Sequence, residues 1–314
     1  MKQTKQLSYE ELLGILKEHD TEDEIAGLGD VPVGIELGTA LTQAINPESL
    51  SKQAVLGFDV YRYSQMKPLP QSLVPFVVRL LYSEACRRLR ADCPYLFRDT
   101  DDKEFRTDFI DTGDGGFQIL STPIHSVAFA VGFESLLRAF NSYAFFPCLR
   151  KQFNADLIVR YAITYDGVFS FEGNHYGPGI INNGRIIAKD RLNRCLIDQG
   201  TFDWFTRNIR GVENLSCIGL QDLQRLPDFK ENDESLAGQD NQMFPPRGGF
   251  QLISAWKDID ILKIGDISVK DDRVSIYSLH LHLQFGYGDD KDDSKSVPYT
   301  VTLGNLNTSG ISDP

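Results

Sequence analysis

The run AVLGFDV, residues 54 to 60, is typical of a buried strand, and it carries one carboxylate, Asp59, near its end. A carboxylate at a buried position is costly unless a partner compensates its charge. The fold must therefore bring a matching group to the end of this strand. This requirement constrains how the elements that follow can be arranged.

Strand and helix patterns alternate after this first strand. A helix with one apolar stripe leads to two short β-like runs around a Gly-rich tip, which predict a hairpin. A second apolar helix then precedes two strands that we expect to be joined at Asp166-Gly167, and a further helix that ends at Gly200. This order predicts an α+β fold in which helices flank an antiparallel sheet.

The last strong strand pattern, SIYSLHLHLQF at residues 275 to 285, alternates apolar and polar side chains. Such alternation predicts one buried face and one face in contact with solvent. His280 and His282 lie two residues apart on the polar face. They could bind a metal ion, but the exposed face of an edge strand is the simpler interpretation.

Composition and patterning divide the chain into three predicted parts. Residues 1–50 begin with the helical pattern SYEELLGILKEHD and predict an N-terminal helical extension. Residues 51–285 contain the alternating strands and helices of the main domain. Residues 286–314 begin with the acidic stretch GYGDDKDDSKS and predict a polar C-terminal tail.

The charge balance limits the classes of partner. The 314 residues include 32 basic and 44 acidic ones, a formal net charge of −12, which disfavours nucleic acid or an anionic membrane surface as a partner. The five cysteines show no CxxC spacing, so neither a disulfide framework nor a zinc site is expected. We find no secretory leader and no long apolar window, and therefore expect a cytoplasmic protein without a membrane span.

A second aspartate, Asp114, lies in the tight Gly113-Asp114-Gly115 tip of the predicted hairpin. Glycines there allow positive φ and a close approach of a ligand to the backbone. If the first strand lies beside this hairpin, Asp59 and Asp114 converge. Two such carboxylates could hold a pair of divalent cations, Mg²⁺ or Mn²⁺, whose coordination shells water and substrate phosphates would complete.

The segments around both aspartates resemble the metal motifs of class III nucleotidyl cyclases. In FDVYRYS, the resemblance implies that Asp59 is the first metal ligand, that the Val60 carbonyl is a second contact, and that Tyr63 and Ser64 are the aromatic and hydroxyl residues opening the next helix. In IDTGDGGFQIL, it implies that Asp114 is the other metal ligand. A ferredoxin-like cyclase domain over residues 51–285 is the fold that this family implies.

The segment HYGPGIINNGRII resembles the third motif of the same family. Here the resemblance implies that Arg185 stabilises the transition state, a role suited to a permanently charged planar donor. The family's asparagine aligns with Ile181, one residue before Asn182, so either the helix start is shifted or the contact is altered; Asn182 is our candidate. Lys270 is the candidate for the family's phosphate-binding lysine.

The positions that select the purine base in this family are Ile110 and Asn174 in this chain, and they match neither the adenine pair nor the guanine pair. With tyrosines at 61 and 63, this pattern resembles the bacterial pyrimidine cyclases of anti-phage (Pycsar) signalling. The resemblance implies conversion of UTP, or alternatively CTP, to the cyclic monophosphate. Tyr61 could stack on the base and Asn174 could hydrogen-bond it.

The family also implies a head-to-tail homodimer, in which Asp59 and Asp114 of one subunit face Arg185 and Asn174 of the other, and a product read by a separate effector. Two other functions stay open. One is another two-metal palm-type enzyme, such as a diguanylate cyclase or polymerase, although these usually lack the motif from Gly177 to Arg185. The other is a non-catalytic nucleotide-binding module with a cyclase-like fold.

Overall fold

The computed structural model describes residues 6–19, 35–45, 51–92, 94–97, 100, 102–208, 253–269, 272–287 and 297–303. Its helices are α1 (Tyr9–His19), α2 (Ile35–Ile45), α3 (Pro68–Asp92), α4 (Pro94–Phe97), α5 (Asp102–Thr107), α6 (Pro123–Asn141), α7 (Pro147–Arg150), α8 (Pro178–Lys189) and α9 (Gln199–Asn208). Its strands are β1 (Gln6–Leu7), β2 (Lys52–Val60), β3 (Phe109–Asp111), β4 (Gly115–Leu120), β5 (Val159–Gly167), β6 (Phe169–Phe171), β7 (Asn174–Tyr176), β8 (Cys195–Asp198), β9 (Ile253–Val269), β10 (Asp272–Tyr287) and β11 (Val297–Leu303).

The main sheet has the order β11-β10-β8-β5-β2-β4-β3, and β9 also pairs with β10. Its described ladders are antiparallel except for the parallel pair β5–β8. The succession β2, α3, β3, β4, α6, β5 with strand order β5-β2-β4-β3 is the ferredoxin-like βαββαβ arrangement. The predicted α+β fold, with an antiparallel sheet flanked by helices, is confirmed.

The central strand β2 is buried on both faces, which explains its continuous apolar run. Alternate residues such as Leu56 and Phe58 belong to the core formed with α3 and α6. The opposite face of β2 is covered by α8, whose Asn183 approaches Gly57 so closely that a Cβ atom there would lie 1.9 Å from Asn183 Oδ1. The three layers thus fix β2, and with it Asp59, in the middle of the domain.

The predicted hairpin turn at Asp166-Gly167 is wrong. Strand β5 continues through both residues and pairs with β2, where Gly167 lies opposite Lys52. The reversal occurs five residues later, at Glu172 (φ +50°) and Gly173 (φ +77°), which connect β6 to β7. Two consecutive positive φ angles are what a two-residue hairpin turn requires, and pairing with β2 outweighs the local turn preference of Asp-Gly.

The predicted helix ending at Gly200 is also wrong, because three elements occupy that segment. Helix α8 ends at Lys189, the four residues Cys195–Asp198 form β8 between β5 and β10, and Gly200 lies in the first turn of α9. Asp198 separates the last two elements: its Oδ1 atom accepts a hydrogen bond from the Thr201 amide (2.8 Å), as a helix N-cap does.

Asp198 gives the protein a predicted pH dependence. Burial raises the pKa of its carboxyl from 3.8 to about 6. The native state therefore binds this proton more tightly than the unfolded state does, so the stabilisation is complete below pH 4 and is lost as the pH rises through about 6. We expect Asp198→Asn, which keeps the capping oxygen, to gain about 1–3 kcal/mol relative to wild type between pH 4 and pH 7.5. Urea unfolding of both proteins at several pH values measures this difference, and parallel pH profiles would contradict it.

The prediction that one face of the late strand contacts solvent is wrong for the residues of that face whose side chains the structure describes. Strand β10 lies inside the sheet, between β9 on one side and β8 and β11 on the other. Ser278 and His280 are buried together with the apolar residues that alternate with them. The side chain of His282 lies outside the described part of the chain. Burial on both faces, rather than an edge position, accounts for this outcome.

The division of the chain into three parts stays a prediction. The structure adds one strand pairing between the first part and the main domain and one between the third part and the main domain. The helical pattern of the first part is confirmed by α1, and β1 pairs in parallel with β6. Within the third part, Val297–Leu303 pairs with β10 as strand β11. Among the helices that the structure describes, none combines the length and apolarity needed to cross a membrane.

Candidate active site

Asp59 and Asp114 lie side by side where β2 ends and the β3–β4 hairpin turns. Asp59 is the cross-strand partner of Gly115, and the Val60 amide donates a hydrogen bond to the main-chain oxygen of Asp114 (N to O, 2.9 Å). The structure thus brings together the two carboxylates that the sequence analysis paired. The main chain of Val60 lies beside Asp114 at the same end of β2.

The turn that carries Asp114 is held by local contacts. The Asp111 carboxylate accepts a hydrogen bond from the Gly113 amide (2.7 Å), and Gly113 has φ +92°, a conformation that favours glycine. Gly115 is needed for a different reason: a Cβ atom there would lie 1.9 Å from the carbonyl oxygen of Phe58. Close contact between the two backbones therefore sets the separation of the two aspartates.

Asp114 has an environment that favours its neutral form. Burial raises the pKa of its carboxyl, and the negative charge of Asp59 raises it further; a backbone hydrogen bond and Arg160 act in the opposite direction. Two carboxylates that repel each other in this way are stabilised by a cation placed between them. A carboxyl with a pKa raised in this way is frequent at functional sites.

Arg160 on β5 is the charged partner that Asp59 requires. Its Nε and Nη2 atoms donate to Asp59 Oδ1 (2.6 Å) and Oδ2 (2.8 Å), and its Nη1 atom donates to the Asp190 carbonyl (2.7 Å). Arg160 is not among the residues predicted from the sequence. A single charge in the apolar run LIVRYAI is the feature that could have revealed it, by the same reasoning that singled out Asp59.

The donor atoms at this point fit a hard divalent cation. Two aspartate carboxylates and the Val60 main chain offer oxygen ligands of the type that Mg²⁺ and Mn²⁺ prefer. Across the described residues, no group of three or more His, Cys, Asp or Glu side chains could hold a metal ion. Coordination by two carboxylates would therefore rely on water and on substrate oxygens, as is usual for Mg²⁺.

Helix α8 carries one structural asparagine, Asn183, and two candidate site residues, Asn182 and Arg185. Asn183 is fully buried, and its Nδ2 atom donates to the carbonyl oxygens of Val55 (2.7 Å) and Ala162 (3.0 Å). Asn182 and Arg185 are partly exposed and, being three residues apart, lie on the same side of the helix. Asn183 thus ties α8 to the sheet, while the two candidates remain accessible to a ligand.

The residues after β2 form a tight turn. The Tyr61 hydroxyl donates to the Arg191 carbonyl (3.0 Å), and the Arg62 guanidinium lies 5.1 Å from the centre of the Tyr61 ring. Tyr63 opens a short 3₁₀ helix (Tyr63–Gln65) and packs against the main core, whereas Ser64 is exposed. The hydrogen bond to Arg191 therefore holds the Tyr61 ring beside the loop that follows α8.

The remaining candidates occupy two further places. Ile110 on β3 packs against a small apolar cluster, and Asn174 on β7 is exposed. Lys270 lies outside the described residues. Within the described part of the chain, no hydrogen bond or ion pair joins Asp59 to Arg185 or to Asn174.

Comparisons with known proteins give distant likenesses. No protein-family model matches the chain, and no match was found among curated proteins. Solved structures with some similarity include an adenylate/guanylate cyclase/hydrolase from Silicibacter pomeroyi (12% identity, TM-score 0.37, covering 73% of this chain and 95% of that one). The adenylyl cyclase CyaB from P. aeruginosa has 11% identity and a TM-score of 0.37, over 73% of this chain and 93% of that one. These TM-scores are low, so the likenesses by themselves assign no function to this chain.

Proposed function

We propose that the chain is a nucleotidyl cyclase of the class III type that converts a pyrimidine nucleoside triphosphate, with UTP favoured, to the 3′,5′-cyclic monophosphate and pyrophosphate. The observation that carries the proposal is the convergence of Asp59 and Asp114 in a ferredoxin-like domain. The three motif resemblances supply the reaction. CTP is the alternative substrate.

Each residue has a role in this reaction. Asp59 and Asp114 would hold two divalent cations, Mg²⁺ or Mn²⁺, and Arg160 orients Asp59 through its two hydrogen bonds. When bound, such ions supply positive charge that acidifies the ribose 3′-hydroxyl and neutralises the triphosphate. Arg185 and Asn182 stabilise the charge that develops as this hydroxyl attacks the α-phosphorus and pyrophosphate leaves.

The base would meet a surface that favours pyrimidines. Ile110 is apolar, so it leaves the polar edge of a purine without the charged partner that the family's purine enzymes offer. A polar group of the base that is buried without a partner costs binding free energy, which discriminates strongly against purines. Asn174 presents an exposed amide that can both donate and accept. One face of Tyr61 is occupied by Arg62, so stacking would use the other face.

We further propose a cytoplasmic homodimer with shared active sites, whose cyclic product is read by a separate effector in anti-phage defence. Asp59 makes no described contact with Arg185 within one chain, and a head-to-tail second copy would supply that group. The phosphate-binding role of Lys270 belongs to the same proposal.

Incubation of the purified protein with Mn²⁺ and, separately, ATP, GTP, CTP or UTP tests the reaction, with products identified by mass and EDTA as the control. Cyclic UMP is the expected product, and cyclic CMP would support the alternative substrate. A cyclic purine would contradict the interpretation of Ile110 and Asn174. No product with any nucleotide, despite measurable nucleotide binding, would favour a non-catalytic module.

A mixing experiment tests the shared sites. Asp59→Asn and Arg185→Ala should each be inactive alone. In a 1:1 mixture after subunit exchange, half of the dimers carry one intact site, so about a quarter of wild-type turnover should return. A mixture that stays inactive, although exchange is shown by differently tagged chains, would contradict the head-to-tail arrangement.

A further inference from the structure

His175 joins two parts of the chain that are far apart in sequence. Its side chain is buried, and its Nδ1 atom lies 2.9 Å from the Ser170 hydroxyl on the neighbouring strand β6. Its Nε2 atom lies 3.1 Å from the Thr107 carbonyl oxygen and 3.4 Å from Asp108 Oδ1, at the junction of α5 and β3. We call this set of contacts the His175 clasp.

The partners define the hydrogen-bond roles of the imidazole. A carbonyl oxygen can only accept, so Nε2 carries a proton and donates to Thr107. The Ser170 hydroxyl can donate to a neutral Nδ1 or accept from a protonated one, so both forms of the ring are accommodated. Burial lowers the pKa of His175. Hydrogen bonding to Asp108 and to the Thr107 carbonyl, together with the negative charge of Asp108, outweighs this effect, so the pKa is raised overall.

One side of the clasp is firmly anchored in the main sheet. The Asp108 carbonyl oxygen accepts hydrogen bonds from the Ile119 amide (2.8 Å) and from Gln118 Nε2 (3.2 Å), both on β4. Gln118 is itself buried and bonded to the Tyr82 hydroxyl on α3 (2.6 Å). Asp108, which directly precedes β3 and lies two residues before Ile110, is therefore a fixed point.

The other side of the clasp is a small element. Strands β6 and β7 have three residues each and belong to a separate sheet whose third strand is the two-residue β1. Short strands of this kind hold their position weakly by themselves. His175 lies next to Asn174, so its contacts with Thr107 and Asp108 fix the backbone that carries the Asn174 amide.

We propose that His175 is a positioning residue that sets base selectivity by holding Asn174 at a defined distance from Ile110. This inference rests on the proposed function, because Ile110 and Asn174 are the candidate base-reading positions. The clasp lies one residue from Asn174 and two from Ile110, within a single chain. Without it, the hairpin that carries Asn174 can shift while the fixed strand that carries Ile110 does not.

His175→Ala, His175→Gln and Asp108→Asn test this role, with kcat/KM measured separately for UTP and CTP. We expect His175→Ala to lower the ratio between the preferred and the rejected pyrimidine about tenfold, mainly through KM of the preferred one. His175→Gln should restore most of the ratio, because its amide can donate to Thr107 and accept from Ser170. Asp108→Asn keeps both of these partners and should lower the ratio about twofold to threefold, which also provides a readout if His175→Ala does not fold.

His125→Ala is the matched control. His125 on α6 is a partly buried histidine with the same kinds of partner, the Thr122 hydroxyl (2.7 Å from Nδ1) and the Leu96 carbonyl (3.0 Å from Nε2). Its replacement removes comparable contacts with residues that are not partners of His175. It should affect stability and leave the ratio between the two pyrimidines unchanged.

The outcomes separate the two proposals. A folded, active His175→Ala with the wild-type ratio would overturn the role of His175 and leave the cyclase proposal intact. Equal loss of selectivity in His125→Ala would also overturn it, because the effect would then be a general consequence of destabilisation. Absence of any cyclic product from the wild-type protein would overturn the proposed function, and the selectivity role would fail with it.

Discussion

Asp59→Asn should reduce metal-dependent turnover roughly 10³-fold while the protein remains folded. The substitution keeps the size of the side chain and removes the charge that would hold a cation beside Asp114. Arg160 loses its charged partner but keeps its bond to the Asp190 carbonyl (2.7 Å), so the free energy of unfolding should fall by only about 1–3 kcal/mol. Turnover assays, Mn²⁺ titration and urea unfolding of the same variant measure these effects.

Asp203→Asn is a suitable control for this experiment. Asp203 lies on α9, is partly exposed and pairs with Arg207 at 3.8 Å, outside the candidate site. Its replacement should leave both Mn²⁺ binding and turnover unchanged. Full activity of Asp59→Asn, or Mn²⁺ affinity equal to that of wild type, would show that the carboxylate pair is not the metal site.

Gly115→Ala should have the largest effect on stability of the substitutions considered. The added Cβ atom would lie 1.9 Å from the Phe58 carbonyl oxygen and 2.7 Å from the Asp59 Cα atom. These are backbone atoms of a central strand, so relief requires β2 and β4 to separate. We expect a loss of about 2–3 kcal/mol or more in the free energy of unfolding, together with loss of turnover, because Asp59 and Asp114 are displaced.

Gly184→Ala provides the matched comparison. Gly184 lies in α8, and a Cβ atom there would have its nearest neighbour at 3.6 Å, an ordinary contact with the Phe117 ring. Alanine is the better helix former, so stability should be unchanged or higher by up to about 1 kcal/mol. Thermal unfolding of both variants tests the pair. A Gly115→Ala protein as stable as Gly184→Ala would contradict the close packing of β2 against β4.

The sequence was informative wherever one segment alone determined the outcome. The apolar run ending at Asp59, the glycine-flanked Asp114 and the helical stripes are local patterns, and each produced the expected element. The order of those elements was sufficient to predict an α+β fold. Pairing Asp59 with Asp114 required only that the first strand lie beside the first hairpin, which the ferredoxin-like order provides.

The errors arose where pairing between distant segments overrode a local preference. The Asp-Gly pair at 166 and 167 favours a turn, yet it continues β5 because β2 offers hydrogen-bond partners along its whole length. His280 follows a polar alternation, yet it is buried because β10 is an inner strand that is covered on both faces. Neither the pairing strand nor the covering layer can be inferred from the residues next to the position concerned.

Local sequence therefore determined which residues are candidates for the chemistry: the two aspartates, the helix with Arg185, and the apolar and amide residues at Ile110 and Asn174. Only the tertiary structure decided how their surroundings act on them. It supplied Arg160 as the partner of Asp59 across the β2–β5 ladder, and His175 as a link between Asn174 and the end of α5, just before β3. The physical reason is that hydrogen bonds and charges act over a few ångströms in space, whereas these partners are separated by 101 and 68 positions along the chain.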